Sequence, residues 1–298
     1  MRAEDWEAPW FARWLPESRR PPELRGIAVL LHGLNFHPDG MSGLAKLLAA
    51  EGFASLLVSL RGHGDNHAPS GVGSSREELR MEAFKSVSHE GWKREVAEAA
   101  GVARARADVE GVPLILAAFS LGAALGIELD CEPTKRIRFD GYLLFAPALS
   151  MHWYVDIMLR MMAPFGGLVL PSAAPLVAAN PGTPSEAYHA ILACVKELAR
   201  TESGCIRSPG LIFIDSKDEI VSLRGVRRWV MRMRLENWRI VPIHRELAGD
   251  RGDFHHLVVD AERIDPSLWG QMSRQIIEFV RGLRDGESGQ ISELDAGL

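Results

Sequence analysis

Ser120 has the surroundings most able to support specific chemistry. It lies in Ala118-Phe119-Ser120-Leu121-Gly122, directly after the apolar run Pro113 to Phe119 and directly before a stretch of small, helix-forming residues. On so tight a strand-to-helix turn a serine projects its hydroxyl away from the sheet. The residues two before and two after it must be small, because the strand and helix backbones nearly touch there. Ala118 stands where such turns usually carry glycine, and its single methyl group leaves the turn feasible. Taken alone, the pentapeptide would equally suit a serine capping a helix start.

A serine hydroxyl is a weak nucleophile until an imidazole removes its proton, and that imidazole needs a carboxylate to fix its tautomer. Both must come from later in the chain. Asp218 sits in Asp215-Ser216-Lys217-Asp218-Glu219-Ile220-Val221, just past the apolar run Leu211 to Ile214, where a carboxylate can leave the sheet edge. Asp215 is the rival acid, still at the end of that run. The late histidines are His244, His255 and His256. His244 falls in Trp238 to Leu247, whose alternation suggests an edge strand and a structural role. Serine, then acid, then histidine is the order in which these candidates stand in the chain.

The elements that must position these groups alternate. Arg25 to Leu31, Phe53 to Leu60, Pro113 to Phe119, Tyr142 to Ala146 and Leu211 to Ile214 are short apolar runs that predict buried strands. Between them, Ser42 to Glu51 (stopped by Gly52), Trp92 to Val109 and Leu121 to about Leu129 predict helices, and Leu268 to Leu283 predicts a last one. Ser74 with Glu77 is placed to close a capping box. This pattern predicts an α/β fold, a mostly parallel central sheet with helices on both faces. Residues 150–209 break the alternation, with no clear strand, and are expected to form a cap insertion over a core of residues 1–149 and 210–284. The polar stretch 285–298 is expected to be a disordered tail.

In this order the motifs resemble an α/β-hydrolase of the monoacylglycerol lipase and carboxylesterase group, from about Trp10 to Leu283. They are the apolar run into His32-Gly33-Leu34, the turn Leu60-Arg61-Gly62-His63-Gly64, the serine pentapeptide, Asp218-Glu219-Ile220-Val221, and His255-His256-Leu257-Val258-Val259-Asp260. The early Phe11-Ala12-Arg13-Trp14-Leu15-Pro16 is similar to the first strand of that family. The resemblance implies an α/β-hydrolase fold, Ser120 as nucleophile, Asp218 as the orienting acid and His255 as base. His255 is preferred because in similar esterases an aspartate follows five residues after the base, as Asp260 does here; His256 stays as the alternative. It also implies that the backbone N–H groups of Leu34 and Leu121 face the oxyanion and that His32 has a packing role. The implied substrate is a small, apolar carboxylic ester, with no cofactor and no metal. Thioester, amide or carbon-carbon hydrolysis on the same residues, or a non-catalytic protein binding an apolar ligand, are the alternatives.

Composition narrows the field. The chain has 298 residues, 47% hydrophobic and 24% charged, enough to bury one large core. Its net charge of −5 leaves no basic excess for phosphates, so nucleic acid is not expected as a partner. Three cysteines, Cys131, Cys194 and Cys205, suggest neither a disulfide framework nor a zinc knuckle. With no basic and apolar leader and no long uninterrupted apolar stretch, a cytoplasmic protein without a membrane segment is expected. His63, Asp65 and His67 have metal-ligand spacing, but the flanking Gly62 and Gly64 favour a plain turn. Arg224, Arg228 and Arg232 form a stripe expected to be solvated. Trp6, Trp10 and Trp14 are expected in core and rim packing. Trp153, Ile157 and Met161 share a helical face, with Met158, Met162 and Phe165 beside it, which would suit either an acyl-chain lining or a cap helix packed on the core.

Overall fold

A computed structural model describes residues 6–15, 23–67, 75–132, 137–162, 166–247 and 253–284. Nine strands and eight helices are found among them. The strands are β1 (Ala12–Trp14), β2 (Gly26–Leu31), β3 (Phe53–Val58), β4 (Leu114–Phe119), β5 (Gly141–Phe145), β6 (Val169–Pro171), β7 (Gly182–Pro184), β8 (Gly210–Asp215) and β9 (Trp238–Ile243). The helices are α1 (Ser42–Ala50), α2 (Arg76–Lys85), α3 (His89–Glu110), α4 (Leu121–Asp130), α5 (Trp153–Met162), α6 (Ser185–Arg200), α7 (Leu223–Arg232) and α8 (Pro266–Arg284). Seven strands form one sheet in the order β1-β3-β2-β4-β5-β8-β9, parallel throughout except for β1 against β3. This is the α/β-hydrolase fold.

Burial on both faces explains why the inner strands are apolar without alternation. In β2, Ile27, Val29 and Leu31 enter the core that holds Val96 and Ala99 of α3 and Leu125 of α4. Ala28 and Leu30 enter the opposite core, with Leu44 of α1 and Ile276 of α8. β4 runs through the middle of the sheet, between β2 and β5, so Ser120 at its end stands near the centre of the sheet's carboxyl edge.

Residues 150–209 are not strand-free. β6 and β7 pair antiparallel, Leu170 opposite Thr183. The helix that follows, α6, packs on α4 and α3, so the second half of the insertion belongs to a helical layer of the core. The capping box lies one residue later than expected: Ser75 Oγ accepts from the Glu78 amide and the Glu78 carboxylate accepts from the Ser75 amide. Ser74 is outside the described residues, as are the 285–298 tail and Phe165. Cys131, at the end of α4, is joined to Cys205, ahead of β8, across 74 positions of sequence; Cys194 is buried and free. One disulfide with one cysteine left over is not a disulfide framework, but it is a pairing that the spacing did not suggest. The pair is brought together by tertiary packing that spacing does not encode, so the cysteine count carries no information about compartment.

The loops after β2 and β3 are held by two buried histidines. His32 Nε2 accepts from the Leu60 amide at 3.1 Å and its Nδ1 lies 2.8 Å from the Gly33 carbonyl. His63 Nε2 accepts from the Asn35 amide at 2.9 Å, and its Nδ1 faces the carbonyls of Leu60 and Arg61. Both ring nitrogens of His63 are thus used by backbone, as its turn role requires. Among the described residues, His63, Asp65 and His67 form no metal-ligand cluster. The rings are 4.6 Å apart. Burial lowers the His32 pKa from 6.5 to about 4 and pushes that of His63 in the same direction, so both imidazoles are neutral in the fold.

Two outcomes follow from this packing. A histidine kept neutral by folding contributes stability that is complete above its unfolded value of 6.5 and is lost as pH falls from there toward about 4. His32→Asn should therefore show a shallower fall in unfolding free energy between those pH values than wild type in urea titrations, and equal slopes would refute it. A Cβ on Gly122 would lie 2.6 Å from the Leu31 carbonyl oxygen and 2.7 Å from that of His32, which are backbone atoms with no room to yield. Overpacking of this kind costs about 1–3 kcal/mol, so Gly122→Ala should lower Tm by roughly 2–10 °C in calorimetry.

Candidate active site

Ser120 is held in a conformation that L residues rarely adopt, φ 51° and ψ −113°. Its amide donates to the Phe145 carbonyl at 3.0 Å and its own carbonyl accepts from the Ala148 amide at 3.1 Å, so the turn is clamped to the end of β5. Gly33 lets the neighbouring loop close on it: a Cβ there would lie 3.2 Å from the Ser120 Cβ and 2.8 Å from the Phe119 ring. Ser120 does not cap α4 with its side chain. Its Oγ lies 2.9 Å from His256 Nε2.

His256 Nδ1 in turn lies 2.8 Å from Asp218 Oδ2. The other oxygen of Asp218 accepts from the amides of Ile220 and Val221 at 2.8 and 2.7 Å, which fixes the carboxylate. All three side chains are buried, and the Phe119 ring packs 5.1 Å from the imidazole. Ser120 and Asp218, far apart in sequence, are thus bridged by one imidazole. It is that of His256 and not, as the sequence analysis expects, that of His255.

The correction has a local cause. His255 and His256 are consecutive in a turn and their rings point apart. His255 Nδ1 lies 3.2 Å from Asp215 Oδ2 and its ring stacks on His244, away from Ser120. Asp215, the rival acid, is spent on structure: its carboxylate also accepts from the amides of Lys217 and Arg245. Spacing to Asp260 misleads because that residue is not in the site; it accepts from the Glu262 amide. Glu219, whose type and spacing mark no role in the sequence, accepts from both histidine amides, His255 at 3.1 Å and His256 at 3.2 Å. Its position beside Asp218 was the one available signal.

Leu34 lies on the wall of the same cavity, and Leu121 is the first residue of α4, where the N–H groups have no partner within the helix. The cavity above Ser120 measures about 410 Å³, within the range of roughly 300–1,000 Å³ usual for small ligands. Phe36, Phe119, Val155, Met158, Leu159, Ile191 and Leu257 line it, and Glu219 is the one carboxylate among the described lining residues. From α5, Val155 and Leu159 are buried against the cavity, and Tyr154 and Met158, about half exposed, stand at its rim. Trp153, Ile157 and Met161, the face considered for an acyl lining, are not among the lining residues, and Trp153 is 74% and Met161 69% exposed. The hydrophobic stripe was legible, but both sides of α5 are apolar, so periodicity could not say which faced in.

Other signals resolve into structure. Trp14 is buried, with Arg106 stacked 4.3 Å from its ring, while Trp10 is exposed. Arg224 and Arg228 are exposed, and Arg232 caps α6 by donating to the carbonyls of Leu198, Ala199 and Thr201. Among the described residues the grouping of possible metal ligands is His89, Glu128 and Cys194, outside this cavity. The Lys93 ammonium already lies 3.1 Å from Glu128 there. No helix among them is long and apolar enough to cross a membrane.

Known proteins agree with this architecture. A soluble variant of monoglyceride lipase from Saccharomyces cerevisiae, in complex with a substrate analog, superposes with a TM-score of 0.72 at 13% identity, over 92% of this chain and 91% of that one. Paleococcus ferrophilus monoacylglycerol lipase gives 0.59 at 18% identity over 88% and 96%, and MenH from S. aureus gives 0.55 at 13% over 92% and 99%. At such identities the likeness speaks to the fold. No curated protein sequence matches the chain. The family described as serine aminopeptidase, S33, matches residues 22–200, more than half of the sequence, and the chain therefore belongs to that family of α/β-hydrolases.

Proposed function

We propose that the protein is a serine hydrolase of carboxylic esters with an apolar acyl or alcohol part. The observation that carries this reading is the chain of contacts from Ser120 Oγ through the His256 ring to Asp218, at 2.9 and 2.8 Å, at the floor of an apolar cavity. An ionised carboxylate only accepts, so Asp218 holds the His256 proton on Nδ1 and leaves Nε2 bare toward the Ser120 hydroxyl. Ser120 Oγ attacks the acyl carbon as its proton passes to Nε2. The imidazolium that forms is stabilised by Asp218, and the carbonyl pair moves onto oxygen, where the amides of Leu34 and Leu121 receive it. His256 gives its proton to the departing alkoxide. It then takes one from the water that attacks the acyl carbon, and returns it to Ser120 as the acid product leaves. This sequence of steps uses no cofactor.

Esters are favoured over aminoacyl substrates by the state of Glu219, the one carboxylate among the described lining residues. A substrate ammonium needs an acid free to meet it, and Glu219 already accepts from two backbone amides. The rest of the wall rewards burial of hydrocarbon at about 25 cal/mol per Å².

Ser120→Ala and His256→Ala should each lower hydrolysis of p-nitrophenyl esters by about four orders of magnitude or more, as removal of such groups does elsewhere. His255→Ala should keep more than about a tenth of wild-type turnover, because its ring is not on Ser120. A fluorophosphonate should label wild type stoichiometrically at Ser120. Turnover confined to aminoacyl amides would overturn the ester reading, and full activity in His256→Ala would overturn the assignment of the base.

A further inference from the structure

The segment just after His32-Gly33-Leu34 is more tightly determined than a loop needs to be. Gly33 to Phe36 is a turn closed by the Phe36 amide donating to the Gly33 carbonyl at 3.3 Å, and the third residue, Asn35, sits at φ 49°. Positive φ at that position of a turn calls for glycine or asparagine. Asn35 is 7% exposed and every polar group on it has a partner. Its amide donates to His63 Nε2 at 2.9 Å, and its carbonyl accepts from the Ala179 amide at 3.0 Å. Its side-chain oxygen accepts from the Asn180 amide at 2.9 Å. Its side-chain nitrogen donates to the carbonyls of Asn180 at 3.1 Å and Gly182 at 3.4 Å.

Asn180 is bound as firmly from the other side. Its side chain donates to the Gly62 carbonyl at 2.8 Å and accepts from Arg80 Nε at 3.1 Å, and it is 2% exposed. Residues 177–182 are the second limb of the insertion. They run along the turn with two further contacts, the His37 amide to the Val177 carbonyl at 2.8 Å and an antiparallel bridge between Phe36 and Ala178.

We propose that Asn35, strapped to Asn180, is a positioning residue for the oxyanion site, which it serves by fixing the direction of the Leu34 N–H. The inference rests on the serine-hydrolase reading above. A trans peptide holds its N–H opposite its C=O, so the Leu34 N–H points wherever the Gly33 carbonyl points away from. The Phe36 amide and His32 Nδ1 meet that carbonyl, and the Phe36 contact closes the turn in which Asn35 is held left-handed. Without the strap the Gly33–Leu34 peptide can rotate, and a donor that must be in place before charge develops is blurred. Neither asparagine exchanges a proton with substrate. The insertion contributes to the reaction through its second limb as well as by roofing the cavity.

The test pairs turnover with binding of a transition-state mimic. An alkyl trifluoromethyl ketone forms a hemiketal with Ser120: the Oγ–C bond forms, the hydroxyl proton passes to His256 Nε2, and the carbonyl pair becomes an oxyanion. Asn35→Gly keeps the backbone freedom and removes the strap. It should lower kcat for a p-nitrophenyl ester about 10- to 100-fold, less than the full loss of a donor, with KM within about twofold of wild type. The inhibition constant of the ketone should rise by the same factor as kcat/KM falls. A general loosening would move KM or melt the protein without that proportionality. Asn180→Ala, which keeps the backbone contacts, should move both quantities in the same direction by less, and it decides the matter if Asn35→Gly does not fold. Wild type bound by the ketone, with both variants unchanged in kcat and inhibition constant, overturns the inference alone. Wild type that neither turns over ester nor forms the adduct overturns the serine-hydrolase reading and the inference with it.

Discussion

A non-glycine residue at positive φ between a strand and a helix costs about 1–3 kcal/mol, and Ser120 occupies that conformation at the junction of β4 and α4. The surrounding fold holds it there. β4 is central in the sheet, which fixes where the strand ends. Clamps to Phe145 and Ala148 fix the peptide on either side of Ser120. On the far side of the turn, Gly122 brings α4 so close to Leu31, the last residue of β2, and to His32 after it that their carbonyls fill the space of a side chain. The hydroxyl is therefore presented by backbone constraint, before any side chain of the site acts on it.

The insertion is tied to the core at both ends, and each tie falls on a loop that carries part of the site. Its first limb meets the loop after β8: the Ser222 amide donates to Ser150, the His152 amide to Ile220, and Tyr154 Oη to the Glu219 carbonyl. His152 Nε2 also lies 2.9 Å from the Asp218 carbonyl. The second limb meets the loop after β2 through Asn35 and Asn180. A movement that carried the whole insertion away from the sheet would have to break both sets. The α5 segment between them makes few such bonds and presents apolar side chains on both sides.

Much of this was legible in the sequence because it follows from local rules. Continuous apolar runs require a sheet covered on both faces, and five such runs became β2, β3, β4, β5 and β8. The pentapeptide around Ser120 announced a strand-to-helix turn, since small residues at 118 and 122 are demanded by backbone contact. What local rules could not supply were facts of tertiary meeting. β6 and β7 are three residues each and pair only with one another. Cys131 and Cys205 meet because α4 ends beside the approach to β8. Asn35 carries no local signal because Asn180, which its side chain meets, lies 145 positions away.

The histidine doublet shows where such reading stops. Two imidazole–carboxylate pairs stand side by side, His256 with Asp218 and His255 with Asp215, and all four residues have the right types in the right order. Only the direction of each ring separates them, and in an irregular turn that direction is a backbone property without periodicity. Glu219 is where it is decided, since its carboxylate accepts from both histidine amides and so pins the turn. With those amides held, one ring must face Ser120 and the other must face the end of β8. There, Asp215 already accepts from Lys217 and Arg245, so that carboxylate cannot turn toward the cavity without leaving two amides unpaired. The loop after β8 thereby divides the labour between its neighbouring acids, Asp218 for the ring that touches serine, Glu219 for the backbone that carries it, and Asp215 for the amides of Lys217 and Arg245.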